Sequence, residues 1–183
     1  MIDKYGGEDD DSSLTGPALK EMIYMDAVLN ETLRLVPPIG GGFRRVLSDF
    51  ELDVSAEEGG RGAVTIPKGA KLFYGIGATH LTNPSTDSNF LPARWLSSPH
   101  GKAGGSSAVD GTLAGGFCPF AAGRRTCLGM PLARLEAKIF GALVVRMLDV
   151  RLENPGVAWG HFPIPKPGDG LPIMAKFREG YAQ

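Results

Sequence analysis

The 183-residue chain is long enough for one domain with a hydrophobic core. Its 19 basic and 20 acidic residues give a net charge of −1, which provides no long-range attraction to nucleic acid or to an anionic membrane. The sequence has no apolar run of about 18 residues that could span a bilayer, and its first residues are polar and acidic, so we expect a soluble protein without nucleic-acid partners.

The first third of the chain contains a flexible start and a helix. Residues 1–13 are rich in acidic and small residues, which is typical of a flexible terminus. Apolar residues then recur at helical spacing from Pro17 until two consecutive prolines end the pattern after Leu35. This spacing predicts a helix from Pro17 to Leu35, and Thr15 is its candidate N-cap.

Glu31 and Arg34 lie three residues apart on the predicted helix and therefore share a face. For an arbitrary helix the ordinary interpretation is an exposed ion pair that contributes little to stability. The flanking positions are largely apolar, so a partly buried pair is the alternative.

Short apolar runs separated by turn residues follow, which predicts a small antiparallel sheet. A glycine turn, 40–42, leads into a strand that carries Arg44, and further strands are expected at 50–54, 64–66 and 71–76. The glycine run lacks the lysine and the following helix of a phosphate-binding loop. His80, which comes next, is predicted to be a structural hydrogen-bonding residue, and residues 97–116 are predicted to be a Gly/Ser-rich insertion.

The stretch 119–129 places Cys127 after a glycine- and arginine-rich loop and just before an amphipathic helical pattern. Backbone N–H groups, the helix dipole and the neighbouring arginines favour a thiolate at that position. A thiolate is a nucleophile or a metal ligand, and the residues alone leave both open. The other cysteine, Cys118, is predicted to be a buried filler, with a disulfide to Cys127 as the alternative. The chain then ends in a predicted hairpin of strands 150–153 and 173–177.

Three motifs occur in a fixed order along the chain. Glu31-Thr32-Leu33-Arg34 is a Glu-x-x-Arg helix motif, and Phe90 to Trp95 is a Phe-x-Pro-x-Arg-Trp segment that contains Arg94. The third motif, Phe-x-x-Gly-x-Arg-x-Cys-x-Gly, consists of Phe120, Gly123, Arg125, Cys127 and Gly129. In this order they resemble the C-terminal part of a cytochrome P450, a haem-thiolate monooxygenase.

The resemblance implies an α+β fold, mainly α, with residues 1–183 forming a single partial domain. It implies haem b (iron protoporphyrin IX) as the cofactor, with Cys127 as the axial iron ligand. Phe120 would pack near the proximal haem face, and Arg125 and Arg44 would hold the haem propionates. Gly123 and Gly129 would let the backbone pass close to the porphyrin and the sulfur.

The resemblance also gives Glu31, Arg34 and Arg94 a role as a buried network beneath the cysteine loop. That role is structural, and the resemblance supplies no catalytic side chain in this chain. A buried network of this kind would depend on all of its members, because removal of one leaves its partners' charge unpaired.

The implied activity is hydroxylation of a hydrophobic small molecule with O₂ and electrons from a reductase. The sequences Gly-Gly-Phe-Arg and Asp-Gly-Leu-Pro are similar to those of the family branch that oxidises sterols and retinoids. Family members are often bound to the endoplasmic-reticulum membrane, but the chain contains no anchor. Because it also contains no counterpart of the family's oxygen-activating helix, a non-catalytic haem-binding remnant is the alternative. A cysteine-nucleophile hydrolase is a third hypothesis, although no base lies within the cysteine motif.

Overall fold

The computed structural model describes residues 14–54, 62–82, 88–96, 117–154, 156, 159–160, 164–168 and 170–181. The helices are α1 (Gly16–Glu21), α2 (Ile23–Leu35), α3 (Ile76–Thr82) and α4 (Met130–Met147), with 3₁₀ turns at Pro92–Trp95 and Gly123–Arg125. The strands are β1 (Gly41–Arg45), β2 (Phe50–Asp53), β3 (Ala63–Ile66), β4 (Lys71–Gly75), β5 (Leu148–Leu152), β6 (Trp159–Gly160), β7 (Lys166–Pro167) and β8 (Ile173–Phe177). The predicted flexible N-terminus, 1–13, and the predicted insertion, 97–116, lie outside the described residues.

The predicted N-terminal helix forms with a break. Thr15 is its N-cap, since the Thr15 hydroxyl accepts a hydrogen bond from the Ala18 N–H at 3.4 Å. Met22 separates α1 from α2 because its backbone leaves the helical region, with a ψ of 60°. At the break Met22 lies in an apolar cluster with Leu19 and Met25, so the kink turns this face inward.

The expected antiparallel sheet in the middle of the chain is divided into two separate pairs. β1 pairs with β4, and the hairpin β2–β3 lies between them in sequence. The glycine run belongs partly to β1, where Gly41 faces Gly75 across the pair. A Cβ atom at Gly41 would collide with the Tyr74 carbonyl and the Phe73 ring, so the close approach of these strands requires glycine.

The C-terminal part consists of α4 and the predicted hairpin. α4 runs directly into β5, which pairs antiparallel with β8 in the register Leu148↔Phe177 to Leu152↔Ile173. A two-residue pair, β6–β7, interrupts the proline-rich connection and was not predicted. Its strands are too short to give a periodic sequence pattern.

The hydrophobic core lies where α1 and α2 meet α4. Ile139 and Ala142 of α4 pack against the cluster of Leu19, Met22 and Met25. Two polar contacts tie the same helices together, Lys138 to Asp26 at 2.6 Å and Arg134 to Asn30 at 2.6 Å. Within the described part of the chain, no helix has both the length and the apolar character that crossing a bilayer requires.

Candidate functional site

The cysteine loop, residues 118–129, is closed by its own backbone. The Ala121 N–H donates to the Cys118 carbonyl at 2.9 Å, and the Cys127 N–H donates to the Phe120 carbonyl at 2.9 Å. Gly123 adopts a φ of 70° and Ala121 a φ of 60°, which is the left-handed region. The loop therefore reverses the chain so that Phe120 and Cys127 lie side by side.

Cys127 stands just before the N-terminus of α4. Gly129 is the N-cap of that helix, and the Met130 N–H donates to the Cys127 carbonyl at 3.2 Å. A Cβ atom at Gly129 would lie 3.9 Å from the Cys127 sulfur, so the sulfur and the helix start are close neighbours. Cys127 is exposed, and it lies two residues before the N-cap of α4.

A cavity of about 600 Å³ opens beside this cysteine. Cys127, Phe120 and Arg125 of the loop line it, and Arg44 of β1 reaches it from another part of the chain. The remaining walls are mostly apolar and come from Pro38, Ile39, Phe43, Arg45, Tyr74, Ile76, Pro119 and Ala121. Gly123 and Gly129 belong to the same loop but are not among the residues that line the cavity.

Glu31 lies at the centre of a buried network beneath this region and is 0% exposed. It accepts two hydrogen bonds from Arg34 at 2.9 Å each and one from Arg94 at 3.1 Å. The Trp95 ring N–H and the Leu91 backbone N–H also donate to it, each at 2.9 Å. The structure thus brings together the three residues that sequence singled out, and it favours the buried alternative over the exposed pair.

The same contacts determine the charge of Glu31. Burial alone would raise the pKa of this carboxyl, but the hydrogen bonds from Arg34, Leu91 and Trp95 outweigh burial and lower the pKa to about 2. Leu91 and Trp95 were not predicted as partners. The available signal was that a buried tryptophan N–H needs an acceptor.

His80 and Cys118 connect this network to the cysteine loop. His80 is buried, and its two ring nitrogens lie within hydrogen-bonding distance of the Arg34 carbonyl and the Cys118 N–H. The prediction of His80 as a structural residue is therefore confirmed. Both cysteines are free, so the alternative of a disulfide is wrong, and partial burial raises the pKa of the Cys118 thiol.

The family model for cytochrome P450 matches residues 2–158. The chain belongs to the cytochrome P450 family. Human cytochrome P450 26C1 is 35% identical over 161 residues, which cover 86% of this chain and 28% of that protein. The putative cytochrome P450 120 of Synechocystis sp. is 34% identical over 164 residues, which cover 87% of this chain and 33% of that protein. The P450 chain described here thus spans about a third of the length of these relatives.

Solved P450 structures share its fold. A cyanobacterial CYP120A1 with bound retinoic acid superimposes with a TM-score of 0.73 at 31% identity, over 97% of this chain and 38% of that one. A second P450, CYP102L1, superimposes with a TM-score of 0.69 at 23% identity and supports the fold alone. The expected fold class, the C-terminal part of the P450 fold, is therefore confirmed.

The residues around the cavity fit the haem that the P450 family implies. One sulfur donor suits an iron ligand, the guanidinium groups of Arg44, Arg45 and Arg125 suit carboxylate arms, and apolar walls suit a macrocycle. Among the described residues, no group of three or more His, Cys, Asp and Glu side chains could hold a metal ion by itself. A prosthetic group that brings its own nitrogen ligands is consistent with this single cysteine.

Proposed function

We propose that this chain is the haem-holding part of a P450 monooxygenase, in which the Cys127 sulfur would bind the iron. The cavity carries the proposal, because it brings Cys127 and Arg125 of the cysteine loop together with Arg44 of β1 beside apolar walls. Bound haem would supply the dioxygen activation by which a substrate R–H, O₂, two electrons and two protons give R–OH and water.

Each residue of the site has its own task in this proposal. The Cys127 thiolate would bind the iron, stabilised by the N-terminal end of α4. Arg125 and Arg44 would hold the propionates through charge-assisted hydrogen bonds. Arg44 already lies at the cavity wall, where its guanidinium stacks 4.7 Å from the centre of the Tyr74 ring. Phe120 would pack against the macrocycle.

Glu31, Arg34 and Arg94 would act as a support and take no part in the reaction. Glu31 holds the segment 91–95 through three hydrogen bonds, from Leu91, Arg94 and Trp95. Phe117, just before the cysteine loop, packs 4.6 Å from the Trp95 ring. The network would therefore hold the cysteine loop in a fixed position at the wall of the cavity.

The proposed substrate is a hydrophobic small molecule of retinoid type, and the proposed redox partner is a reductase. A solved neighbour contains retinoic acid, and the apolar walls formed by Pro38, Ile39 and Phe43 suit such a molecule. A relative from Panax ginseng, 34% identical, is a protopanaxadiol 6-hydroxylase, so sterol-like and other lipid-like substrates belong to the same proposal.

The assignment of Cys127 is tested by the reduced carbon monoxide difference spectrum of the haem-loaded chain. We expect a thiolate-type Soret band for the wild type and for Cys118→Ala, and its loss in Cys127→Ala. Cys118→Ala is the matched control because Cys118 is held through its backbone N–H and not through its sulfur. A band that survives Cys127→Ala contradicts the assignment.

A non-catalytic haem-binding fragment is the second candidate. It is favoured by the exposure of Cys127 beside the cavity. Large apolar residues on α4, such as Leu132 and Phe140, are exposed as well. Incubation of the haem-loaded chain with a P450 reductase, NADPH, O₂ and retinoic acid separates the two candidates. An oxygen-dependent hydroxylated product supports the monooxygenase, and a thiolate-type spectrum without product supports the fragment.

A further inference from the structure

His80 is a buried side chain with backbone partners on both sides, the Arg34 and Leu33 carbonyls of α2 and the Cys118 N–H of the cysteine loop. It is 2% exposed and lies in α3, behind the cysteine loop. Its Nδ1 is 3.2 Å from the Arg34 carbonyl oxygen, near the C-terminal end of α2. Its Nε2 lies 2.9 Å from the Cys118 backbone nitrogen, where the loop begins.

These partners fix the tautomer of the imidazole. A carbonyl oxygen only accepts, so Nδ1 must carry the hydrogen, and a backbone N–H only donates, so Nε2 must be bare. A protonated ring would direct an Nε2–H at the Cys118 N–H, and two donors do not bond. The contacts therefore require a neutral imidazole with its hydrogen on Nδ1, and burial lowers the pKa of His80 in agreement.

The aromatic residues around His80 connect the same two regions. Phe117 lies between His80 and Trp95, with ring centroids 5.1 Å and 4.6 Å away. Trp95 in turn donates its ring N–H to Glu31. Two contacts therefore fix the beginning of the cysteine loop. The Phe117 ring, just before the loop, packs between His80 and Trp95, and the Cys118 N–H donates a hydrogen bond to His80.

We propose that His80 is a positioning residue for the cysteine loop. It links α2 to the loop because its ring bonds to the Arg34 carbonyl and accepts a hydrogen bond from the Cys118 N–H. This link helps to hold Cys127 at the cavity. The hydrogen bond can be tested without haem. The consequence for Cys127 rests on the function proposed above.

Three substitutions separate this role from simple packing. His80→Gln keeps an acceptor near the Nε2 position, His80→Asn keeps only a donor near Nδ1, and His80→Phe keeps only the ring that stacks on Phe117. If the hydrogen bond positions the loop, Gln should resemble the wild type, and Asn and Phe should not. If packing alone matters, Phe should resemble the wild type and Gln should not.

The first experiment measures hydrogen exchange at the Cys118 amide in the haem-free chain. We expect exchange to accelerate on the order of tenfold in His80→Asn and His80→Phe, and to change less than about threefold in His80→Gln. Exchange at the Ala133 amide, which bonds within the first turn of α4, is the internal control for global unfolding. Unchanged Cys118 exchange in His80→Asn overturns the proposal.

The second experiment reads the tautomer directly. Nitrogen-15 chemical shifts of the His80 ring should show a neutral Nδ1–H imidazole at pH 7 in the wild-type chain. An Nε2–H tautomer or an imidazolium at this pH overturns the proposal, and this result does not depend on whether any variant folds.

The third experiment concerns the ligand. In the haem-loaded chain, His80→Asn should convert part of the thiolate-type Soret band to a band without thiolate ligation, and His80→Gln should restore it. If Cys127→Ala removes the band but His80→Asn leaves it unchanged, the positioning role is wrong and the proposed function stands. If Cys127→Ala leaves the band, the proposed function is wrong, while the exchange and tautomer results still decide the hydrogen bond.

Discussion

Two regions of this P450 chain differ in which side chains they expose to solvent. Around α2, ionisable side chains are buried, with Glu31 0% and Arg34 2% exposed. Along α4, large apolar side chains face outward, with Leu132 59% and Phe140 71% exposed. Both patterns reverse the usual rule, in which charges are exposed and apolar residues are buried.

The difference lies in the partners that each region has. The buried Glu31 carboxylate is stable because five hydrogen bonds from within the chain satisfy it. The exposed face of α4 has no comparable cover among the described residues, although its other face packs on the core through Ile139. The support of the cysteine loop is therefore built in this chain, whereas α4 presents an apolar surface that is available for further contacts.

Substitution of Glu31 should have the largest effect. Glu31→Gln keeps the shape of the side chain but removes the carboxylate charge that pairs with the buried Arg34 and the partly buried Arg94. We expect it to reduce the free energy of unfolding by about 3–5 kcal/mol, measured by urea unfolding followed by circular dichroism.

The matched control is Glu136→Gln on α4, where the side chain is exposed. It should change the free energy of unfolding by no more than about 0.5 kcal/mol. Equal effects of the two substitutions would remove the distinction between the two regions.

Lys138 links the two regions and should have the next largest effect. Its ammonium lies 2.6 Å from the Asp26 carboxylate between α4 and α2. Lys138→Met should cost about 2 kcal/mol, because it leaves the mostly buried Asp26 unpaired. The double substitution with Asp26→Leu should recover part of this loss in the same urea titration, and a strictly additive loss would contradict the pairing.

The pH dependence of stability should come from the buried region. Glu31 has a pKa of about 2 in the folded state against 4.5 as its ordinary value, so its contribution is present above 4.5 and is lost as pH falls toward 2. The pKa of His80 is lowered from 6.5, so below 6.5 the unfolded state binds a proton that the folded state excludes. Stability should therefore fall in two stages on acidification, by up to about 1.4 kcal/mol per pH unit for each group.

Each stage can be assigned by substitution. His80→Gln should flatten the stage just below pH 6.5, and Glu31→Gln should flatten the stage below pH 4.5. A profile of unfolding free energy that is already flat between pH 7 and 5 in the wild type would contradict the assignment to His80.

The smallest effect on stability should come from the exposed face of α4. Phe140→Gln should change the free energy of unfolding by about 0.5 kcal/mol or less, since the side chain is already in water. It should instead reduce self-association, which sedimentation velocity would show as a larger monomer fraction than in the wild type or in Phe140→Leu. A wild-type chain that is already fully monomeric would contradict this.

Sequence predicted the elements and motifs that depend on local patterns. The Thr15 cap, the α4 helix and the terminal hairpin follow from spacing and residue type, and the cysteine signature is contiguous. The family resemblance added Arg44 as a site residue, and Arg44 lines the same cavity as Cys127.

The rest depends on contacts between distant segments, which no local pattern encodes. The pairing of β1 with β4 rather than with β2 is set by tertiary packing. The hydrogen bond from Cys118 to His80 joins residues 38 positions apart, and neither residue type specifies the other. The break at Met22 is also invisible in the sequence, since methionine is a good helix former.

The closure of the cysteine loop has a consequence for folding order. Its hydrogen bond between Phe120 and Cys127 spans seven positions, whereas the contacts of Glu31 with the segment 91–95 span 60 to 64 positions and that of Lys138 with Asp26 spans 112. Short loops close on a timescale of about 10–100 ns, and non-local contacts carry a larger entropic cost in the transition state. We therefore expect the cysteine loop to form transiently before its support exists, and to become long-lived only once α2 and α4 have docked.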